Sequence, residues 1–274
     1  MNEENTGIEN PDNEEFQVPQ PEVAEAEPKE EPQMSEVSTL ANIFFEPGRT
    51  FEDLRRKPRF ILAFVIFALL ATAYTFVLSQ KIGEERYRRF SMEQAEKNPQ
   101  FEALSQEQKE QSIEFGLTIQ KVVGYALPLF LMIAFLIGSL LYWLGTKAMG
   151  GSATFLQTVS VWVYSSFAPG VVSVIANLVV LIFKSPDDIE IATSARGVIQ
   201  ANPTLLIGGN DTPVLTTLLS TIDLFAIWGL ILAAIGLTKV ARISQGSAWA
   251  IVLILTLIGI TFRVIGAFMN GIPS

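Results

Sequence analysis

The sequence predicts an all-α protein, an integral membrane bundle of five transmembrane helices behind a disordered acidic tail. Five apolar runs, each about as long as the roughly 20 residues that a helix needs to cross a bilayer core, are the first observation behind this reading. The second is a segregation of charge. Residues 1–40 hold twelve of the 28 acids against a single base, Lys29, while the rest of the chain holds 18 bases and 16 acids. A net charge of −9 alongside 49% apolar residues therefore averages two chemically different parts. The third observation is the absence of every Cys and every His. Disulfide frameworks, Cys/His zinc sites, haem-type axial histidines and Ser-His nucleophile pairs are thereby excluded.

Taken in order, the tail (1–40) carries five prolines, few aliphatic clusters and mutually repelling acids, so it cannot bury enough apolar surface to offset the entropy of ordering. It has no basic start followed by an apolar stretch and no lipid-attachment Cys, so it reads as neither a signal peptide nor a lipoprotein leader. Deleting residues 1–38 is accordingly expected to leave insertion and folding intact. Residues 41–59 form a juxtamembrane, interfacial segment: Ile43, Phe44, Phe45, Phe51 and Leu54 surround a Pro47-Gly48 turn, with Thr50 and Asp53 at capping-box-like spacing. Aromatics of this kind sink into the headgroup region while Arg55, Arg56 and Lys57 meet anionic lipid; an ordinary anchor that only sets topology has the same pattern.

The membrane domain (60–270) holds spans at about 60–79, 121–145, 155–183, 214–237 and 248–269. Between the first two, residues 81–120 are charged and lack strand alternation, and Ser105 with Gln108 suits the cap of a helix running on into the second span. The links at 146–154 and 238–247 are short enough to join antiparallel neighbours, whereas 184–213 is a long polar loop with a Gly-Gly-Asn-Asp turn signal. Bases before the first span (Arg49, Arg55, Arg56, Lys57, Arg59) and in both short links predict a cytoplasmic N-terminus and an outside C-terminus, in the inner membrane if the source is bacterial. Lys81, Arg86, Arg88 and Arg89 sit on the opposite side and blur that bias.

Ionisable side chains within a span are costly, about 2.5–3.5 kcal/mol on insertion scales, and so draw attention first. Asp223 and Arg263 are the clear cases. With the fourth span entering near Val214, Asp223 lies about 14 Å deep at ~1.5 Å per residue, and Arg263 roughly 9 Å from the same side. Asn177 shares a helix face with Gly170 and Ser173, and Arg263 with Gly259 and Gly266. Small residues allow close helix approach, so Asp223, Arg263 and Asn177 are expected to gather in one polar cluster, bordered by Lys121 and Tyr125. Such a pair either locks the last three helices together or binds a proton, ion or polar solute. Pro128 and Pro169 are potential kinks.

No second membrane aspartate accompanies Asp223 to share a proton, as an intramembrane aspartyl protease requires. Asp187 and Asp188 are adjacent loop acids whose ordinary fate is solvation, and the sequence carries neither a phosphate-cradling Gly-Lys-Ser/Thr motif nor a nucleic-acid signature. No cofactor is expected, and nucleic acid is not an expected partner.

Three stretches carry a family resemblance: IFFEPGRTFEDLRRKP before the first span, GGSATFLQTVSVWVYSSFAPG entering the third, and STIDLFAIWGLILAAIGLTKVARISQGSA from the fourth into the last link. Over about residues 40–270 the chain resembles the bacterial branch of the Yip domain family, membrane proteins related to the Ypt/Rab-interacting proteins of eukaryotes. The resemblance implies five spans, a cytosolic N-terminus, a far-side C-terminus and association with other membrane proteins. Small-GTPase binding is not carried over to a chain of bacterial type. Asp223, Phe225, Ile227 and Trp228 match an Asp-x-Phe-x-Ile-Trp run of that branch, for which the resemblance implies no role; the residues themselves suggest that Asp223 holds helix packing together while Trp228 fills an interhelical surface. The expected function is a non-catalytic, membrane-organising or partner-binding component, whose partners are the lipid bilayer and other membrane proteins or a second copy. A small transporter or channel subunit using Asp223 and Arg263 is the alternative.

Overall fold

The structure is a computed structural model that describes residues 31–194, 196–199, 201–206 and 212–273. Most of the acidic tail, residues 1–30, lies outside the described residues. Among the described residues every regular element is helical. Five of the helices are long and apolar enough to cross a membrane: α3, α7, α8, α11 and α12 below.

The tail reading ends earlier than residue 40, because α1 (Glu36–Phe45) starts on Ser35, whose hydroxyl accepts the Ser38 N–H. Pro47 then opens α2 (Pro47–Arg56) as its first helical residue, where the N–H that proline lacks would have no partner anyway. Thr50 and Asp53 consequently lie inside α2 and form no capping box; Thr50 Oγ1 donates to the Glu46 carbonyl instead. On α2 the residues Thr50, Phe51, Asp53 and Leu54 make one face, and that face is fully buried against α8 and α11. The 41–59 segment is thus folded into the bundle.

Helix α3 (Ile61–Ile82) is the first span and Gly83, with φ +77°, ends it. The charged connection forms a helical hairpin: α4 (Glu84–Ala95), the short α5 (Pro99–Glu102) and α6 (Gln106–Tyr125), around a small core of Phe101, Ile113 and Leu117. The Ser105–Gln108 capping box starts α6 as expected. That helix stops at Ala126, because Pro128 at the start of α7 (Leu127–Ala148) has no N–H to continue the ladder. The second long apolar helix therefore begins at 127, and Lys121 and Tyr125 lie on α6; Lys121 Nζ reaches Glu84 at 2.8 Å.

At the centre is α8 (Phe155–Phe183), which packs against α3, α7 and α11. A Cβ added at Gly138 would lie 2.3 Å from the Trp162 ring, and one at Gly170 would lie 2.5 Å from Phe67, so α7 and α3 approach α8 at positions without side chains. Pro169 is accommodated inside α8. After it come a 3₁₀ turn (Pro186–Asp188), the short α9 (Ile191–Ser194) and a second 3₁₀ turn (Pro203–Leu206). The fourth apolar segment, expected as one helix, is two: α10 (Pro213–Ser220) and α11 (Leu224–Ala241). Asp223 divides them. Its Oδ1 accepts the N–H groups of Phe225 and Ala226 at 2.9 and 3.1 Å, which starts a new helix and ends the old one. Helix α12 (Gln245–Asn270), capped by Ser244, packs on α11, α10 and α7.

The bundle has two contrasting ends. At one, the two short links meet and α2 docks beside them: Ser152 N–H donates to the Ala241 carbonyl, Gln157 Nε2 at the start of α8 to the Arg55 carbonyl, and Lys239 pairs with Glu52 at 2.6 Å. At the other lie α9, α10, the long loop and the α4–α6 hairpin. Three of the four bases that blurred the charge bias are spent there on local partners, while Arg89 is exposed. Lys81 donates to the carbonyls of Leu181 and Ile182 at the C-terminus of α8, Arg86 donates to those of Pro186 and Ile189, and Arg88 pairs with Glu114.

Candidate functional site

The loop end contains a cavity of about 210 Å³, walled by α8, α9, α10, the start of α11, α12 and the long loop. Its wall is polar because each element contributes a hydroxyl, an amide or a charge. Ser173 comes from α8, Thr193 from α9, Thr216 and Ser220 from α10, Asp223 from the start of α11, and Arg263 from α12. Arg196 completes it from the loop. Helix α12 positions Arg263 so that Nη2 donates to Ser220 Oγ at 3.0 Å, and Arg196 Nη1 donates to the same oxygen at 3.2 Å. Ser220 Oγ in turn donates to the Thr217 carbonyl at 2.7 Å. One hydroxyl thus holds two guanidinium groups side by side. Partial burial, and then the charge of Arg263, pull the Arg196 guanidinium below the usual arginine range.

The expected cluster of Asp223, Arg263 and Asn177 acquires a specific layout. Asp223 and Arg263 share the cavity wall, each held by a different partner: the α11 amides for the carboxylate, the Ser220 hydroxyl for the guanidinium. Asp223 stands at the head of α11, with α10 a separate helix before it, so it is not within a continuous fourth span. Asn177 is 4% exposed and lies behind the wall. Its Nδ2 donates to the Ser173 carbonyl at 2.8 Å while Oδ1 accepts the Ile199 N–H at 2.8 Å, which pins the loop to α8. Gly197, at φ +136°, passes so close that an added Cβ would lie 2.8 Å from Asn177 Oδ1; only glycine fits that backbone and that approach. Gly259, expected on a packed face, is exposed with open space around it. Lys121 and Tyr125 do not line the cavity. Asp187 and Asp188 are exposed in their 3₁₀ turn.

A second polar site stands at the α1–α2 end. Asp53, 1% exposed, accepts the Gln33 backbone N–H and pairs with Arg59. The Arg59 side chain is itself 9% exposed, and its Nε is buried without a partner among the described residues. This clamp ties α2 to the chain on both sides of it, to the segment before α1 and to the entry of α3. A partial sequence signal for it existed: Asp53 follows Thr50 by three residues and adjoins Leu54 at the edge of the apolar face, and an acid buried there requires a cation. Arg55 and Arg56 are half-buried and Lys57 is exposed, on the other side of α2. Trp228 packs into the main core, with its ring centroid 6.1 Å from that of Phe44 on α1. Phe51 meets α11 where a Cβ on Gly236 would lie 3.0 Å from its ring, so α2 lies close along a glycine groove.

Comparison with known proteins agrees with this architecture. A family profile described as the Yip1 domain matches residues 41–266, from within α1 to near the end of α12. The chain is similar to the "Membrane protein YknW" of Bacillus subtilis (strain 168), with 26% identity over 243 residues, covering 88% of this chain and 94% of that one. No solved structure matches. The match spans the five apolar helices and the docked N-terminal pair together, and the chain belongs to the Yip1 domain family, as the resemblance of its three carrier stretches implied.

Proposed function

We propose that this Yip1-domain protein is a non-catalytic, membrane-organising or partner-binding component that works from its α1–α2 end. One observation carries the reading. Helix α2 buries its apolar face completely, with Phe51 and Leu54 at 0% exposure, while α1 leaves Val37 70% and Phe45 83% exposed. Apolar side chains on the outside of the span helices face lipid tails by default, but Val37 and Phe45 belong to α1, an additional helix that is not a span and that docks through Phe44 on Phe167 of α8 and Trp228 of α11. Such a docked helix with its own exposed apolar side chains suits the flank of another membrane protein or a second copy, and Arg55, Arg56 and Lys57 supply the contacts to anionic lipid.

In this reading the N-terminus is cytoplasmic and the C-terminus is outside. Arg49, Arg55, Arg56, Lys57, Lys147, Lys239 and Arg242 belong to the α1–α2 end and its two short links, and at the opposite end Lys81, Arg86 and Arg88 are engaged by the α8 C-terminal carbonyls, the Pro186 and Ile189 carbonyls and Glu114. The polar groups at the loop end act as a structural lock: Arg263 ties α12 to α10, Asp223 caps α11, and Asn177 ties the loop to α8.

Because the chain has no native Cys, single introduced thiols report topology and contact directly. In intact cells an impermeant maleimide should modify Asn270→Cys and reach Lys57→Cys only after permeabilisation; the reverse pattern overturns the orientation. A photo-crosslinking residue at Phe45 should trap a discrete protein adduct, either a second copy or another membrane protein, that the same residue at lipid-facing Leu257 does not trap. Lipid-only labelling at both positions removes the partner-binding reading.

The cavity supports a second reading, passage of a small solute past Asp223 and Arg263. Reduced solute flux at normal abundance in Asp223→Asn or Arg263→Ala favours it. Loss of abundance with no flux to lose favours the lock.

A further inference from the structure

We infer that the outer face of α6 and α7 is a seam along which two copies of this chain pair in parallel. Phe115, Val122, Leu129 and Leu136 recur at a strict seven-residue spacing and are all exposed, from 39% at Leu136 to 67% at Phe115. Ile119, Ala126, Ile133 and Leu140 recur at the same spacing four places later, with the three larger side chains exposed as well. Such a repeat of apolar pairs keeps one stripe turned toward a partner helix. It runs on the side of α6 opposite Ile113 and Leu117, which that helix buries in its own hairpin. The junction at Ala126 does not interrupt the stripe. Ala126 N–H donates to the Val122 carbonyl at 2.9 Å and its own carbonyl accepts the Phe130 N–H at 3.1 Å, so the helical phase carries over from α6 to α7.

Lipid tails cover the exposed side chains of a span by default, but this span begins at Leu127, and Phe115 and Ile119 lie about 18 and 12 Å before it along the helix at ~1.5 Å per residue. There the stripe calls for a protein surface, and its flanks select an identical one. Glu107, Glu110, Glu114 and Lys121 all lie off the stripe, and Glu114 and Lys121 are taken up by Arg88 and Glu84 of the same hairpin. Lys109, the charged residue on the flank, has its Nζ 5.8 Å from the Phe101 ring centroid, turned back on its own hairpin. The next flanking residues, Gln111, Gly116, Thr118 and Val123, are uncharged, so two copies of this face meet without like-charge repulsion. Gly116 has nothing within 4 Å of the place a Cβ would take, which leaves a hole for the Phe115 ring of a second copy. Copies inserted in one direction and related by a two-fold axis along the membrane normal bring this face together in parallel and in register. The exposed seam side chains offer roughly 700 Å² per copy, and with the flanking Val123, Tyr125 and Phe130 they reach the ~800 Å² per partner of a standard interface. The seam is separate from the α1 face, and neither reading depends on the other.

The test uses the full chain in native membranes and in nanodiscs, where the lack of native Cys makes single thiols unambiguous. Parallel, in-register pairing sets identical residues opposite each other, so mild oxidation should link two copies through Ile119→Cys and through Val122→Cys, and far less through Glu110→Cys or Gln120→Cys on other faces of α6. Ile119→Glu places like charges across the seam and should raise the dissociation constant of the pair roughly 100-fold or more, read by native mass spectrometry of nanodiscs as one chain in place of two. The thiol pattern decides the question by itself should Ile119→Glu lower abundance. Equal linking at Ile119 and Glu110, linking of Ile119→Cys to a different protein in place of a second copy, or reaction of the seam thiols with a lipid-phase probe alone each overturns the inference. None of these results touches the α1 reading, which the cross-linker at Phe45 reports.

Discussion

Both ends of the bundle use an aspartate and an arginine, and they use them in opposite ways. At the α1–α2 end Asp53 and Arg59 are paired directly and sealed, 1% and 9% exposed. At the loop end Asp223 and Arg263 face a shared cavity and are held by different partners. A sealed pair has already met its desolvation cost through mutual contact, so nothing further can enter, whereas separated charges around a cavity leave room for a third group. The first arrangement is a closed joint; the second surrounds open space. Their sequence contexts differ accordingly: Asp53 lies within a helix face that must be buried, Asp223 at a helix start where a carboxylate is favoured by the exposed amides.

The sharpest way to break the comparison is to remove one member of the sealed pair. Asp53→Ala leaves Arg59 buried without its counter-charge, an uncompensated state that costs about 3–5 kcal/mol. The expected outcome is loss of most folded protein from the membrane, read as abundance and as thermal midpoint in detergent. Asp53→Asn with Arg59→Met removes both charges and should recover much of that loss. A single Asp53→Ala variant of normal stability would show that α2 is not clamped.

At the loop end the effects should be smaller, because water is close at hand. Asn177→Ala orphans the Ile199 N–H and frees the 196–199 stretch from α8, a loss of about 1–3 kcal/mol for a largely buried amide. Hydrogen exchange should accelerate in that stretch while the middle of α8 stays protected; uniform protection would mean that the loop has another tether. Asp223 separates capping from charge pairing. Asp223→Ala should cost ~1 kcal/mol through the lost cap, while Asp223→Asn, an equally good cap, should cost little. A large loss in the Asn variant would restore charge pairing with Arg263 as the role of Asp223.

Much of this was legible in the sequence, for identifiable reasons. The five spans follow from run length alone, and the Ser105–Gln108 box from a local pattern whose partners are three residues apart. Three features were misread where local grammar competed with apolar length. Hydropathy runs through Asp223 and through Pro128, but a carboxylate that can cap and a proline that cannot donate each start a new helix, so two apolar segments are divided. Pro47-Gly48 has the look of a turn, yet a proline is equally at home as the first residue of a helix. The tail boundary failed for a related reason: Ser35 caps α1, Thr39 is wholly buried, and the Gln33 amide reaches Asp53, so truncation to residue 38 would cut into the folded part. What no local pattern contained was the convergence of Arg196 and Arg263, separated in the chain by α10, α11 and most of α12, on Ser220.

The weakest expected effect concerns the joint's outer surface. Glu52 reaches Lys239 on α11 at 2.6 Å, and both side chains are well exposed, 40% and 43%. The hydrogen bond from Lys239 holds the Glu52 carboxyl below its ordinary value of 4.5; partial burial opposes this, and the charges of Lys239, Arg56 and Arg55 add to it. A carboxylate depressed by folding contributes stability that is fully present above about pH 4.5 and is lost as pH falls through the lowered folded value. Solvent and salt screen an exposed pair, so its worth is under about 1 kcal/mol. Glu52→Gln should therefore lower the thermal midpoint slightly at pH 7, with the difference shrinking as pH falls below about 4.5 and shrinking also in high salt. The sealed Asp53–Arg59 pair, built on the very next residue but out of reach of those ions, should respond far less to salt. If both pairs respond alike, the contrast between sealed and open charge on which the two ends were distinguished does not hold even within α2.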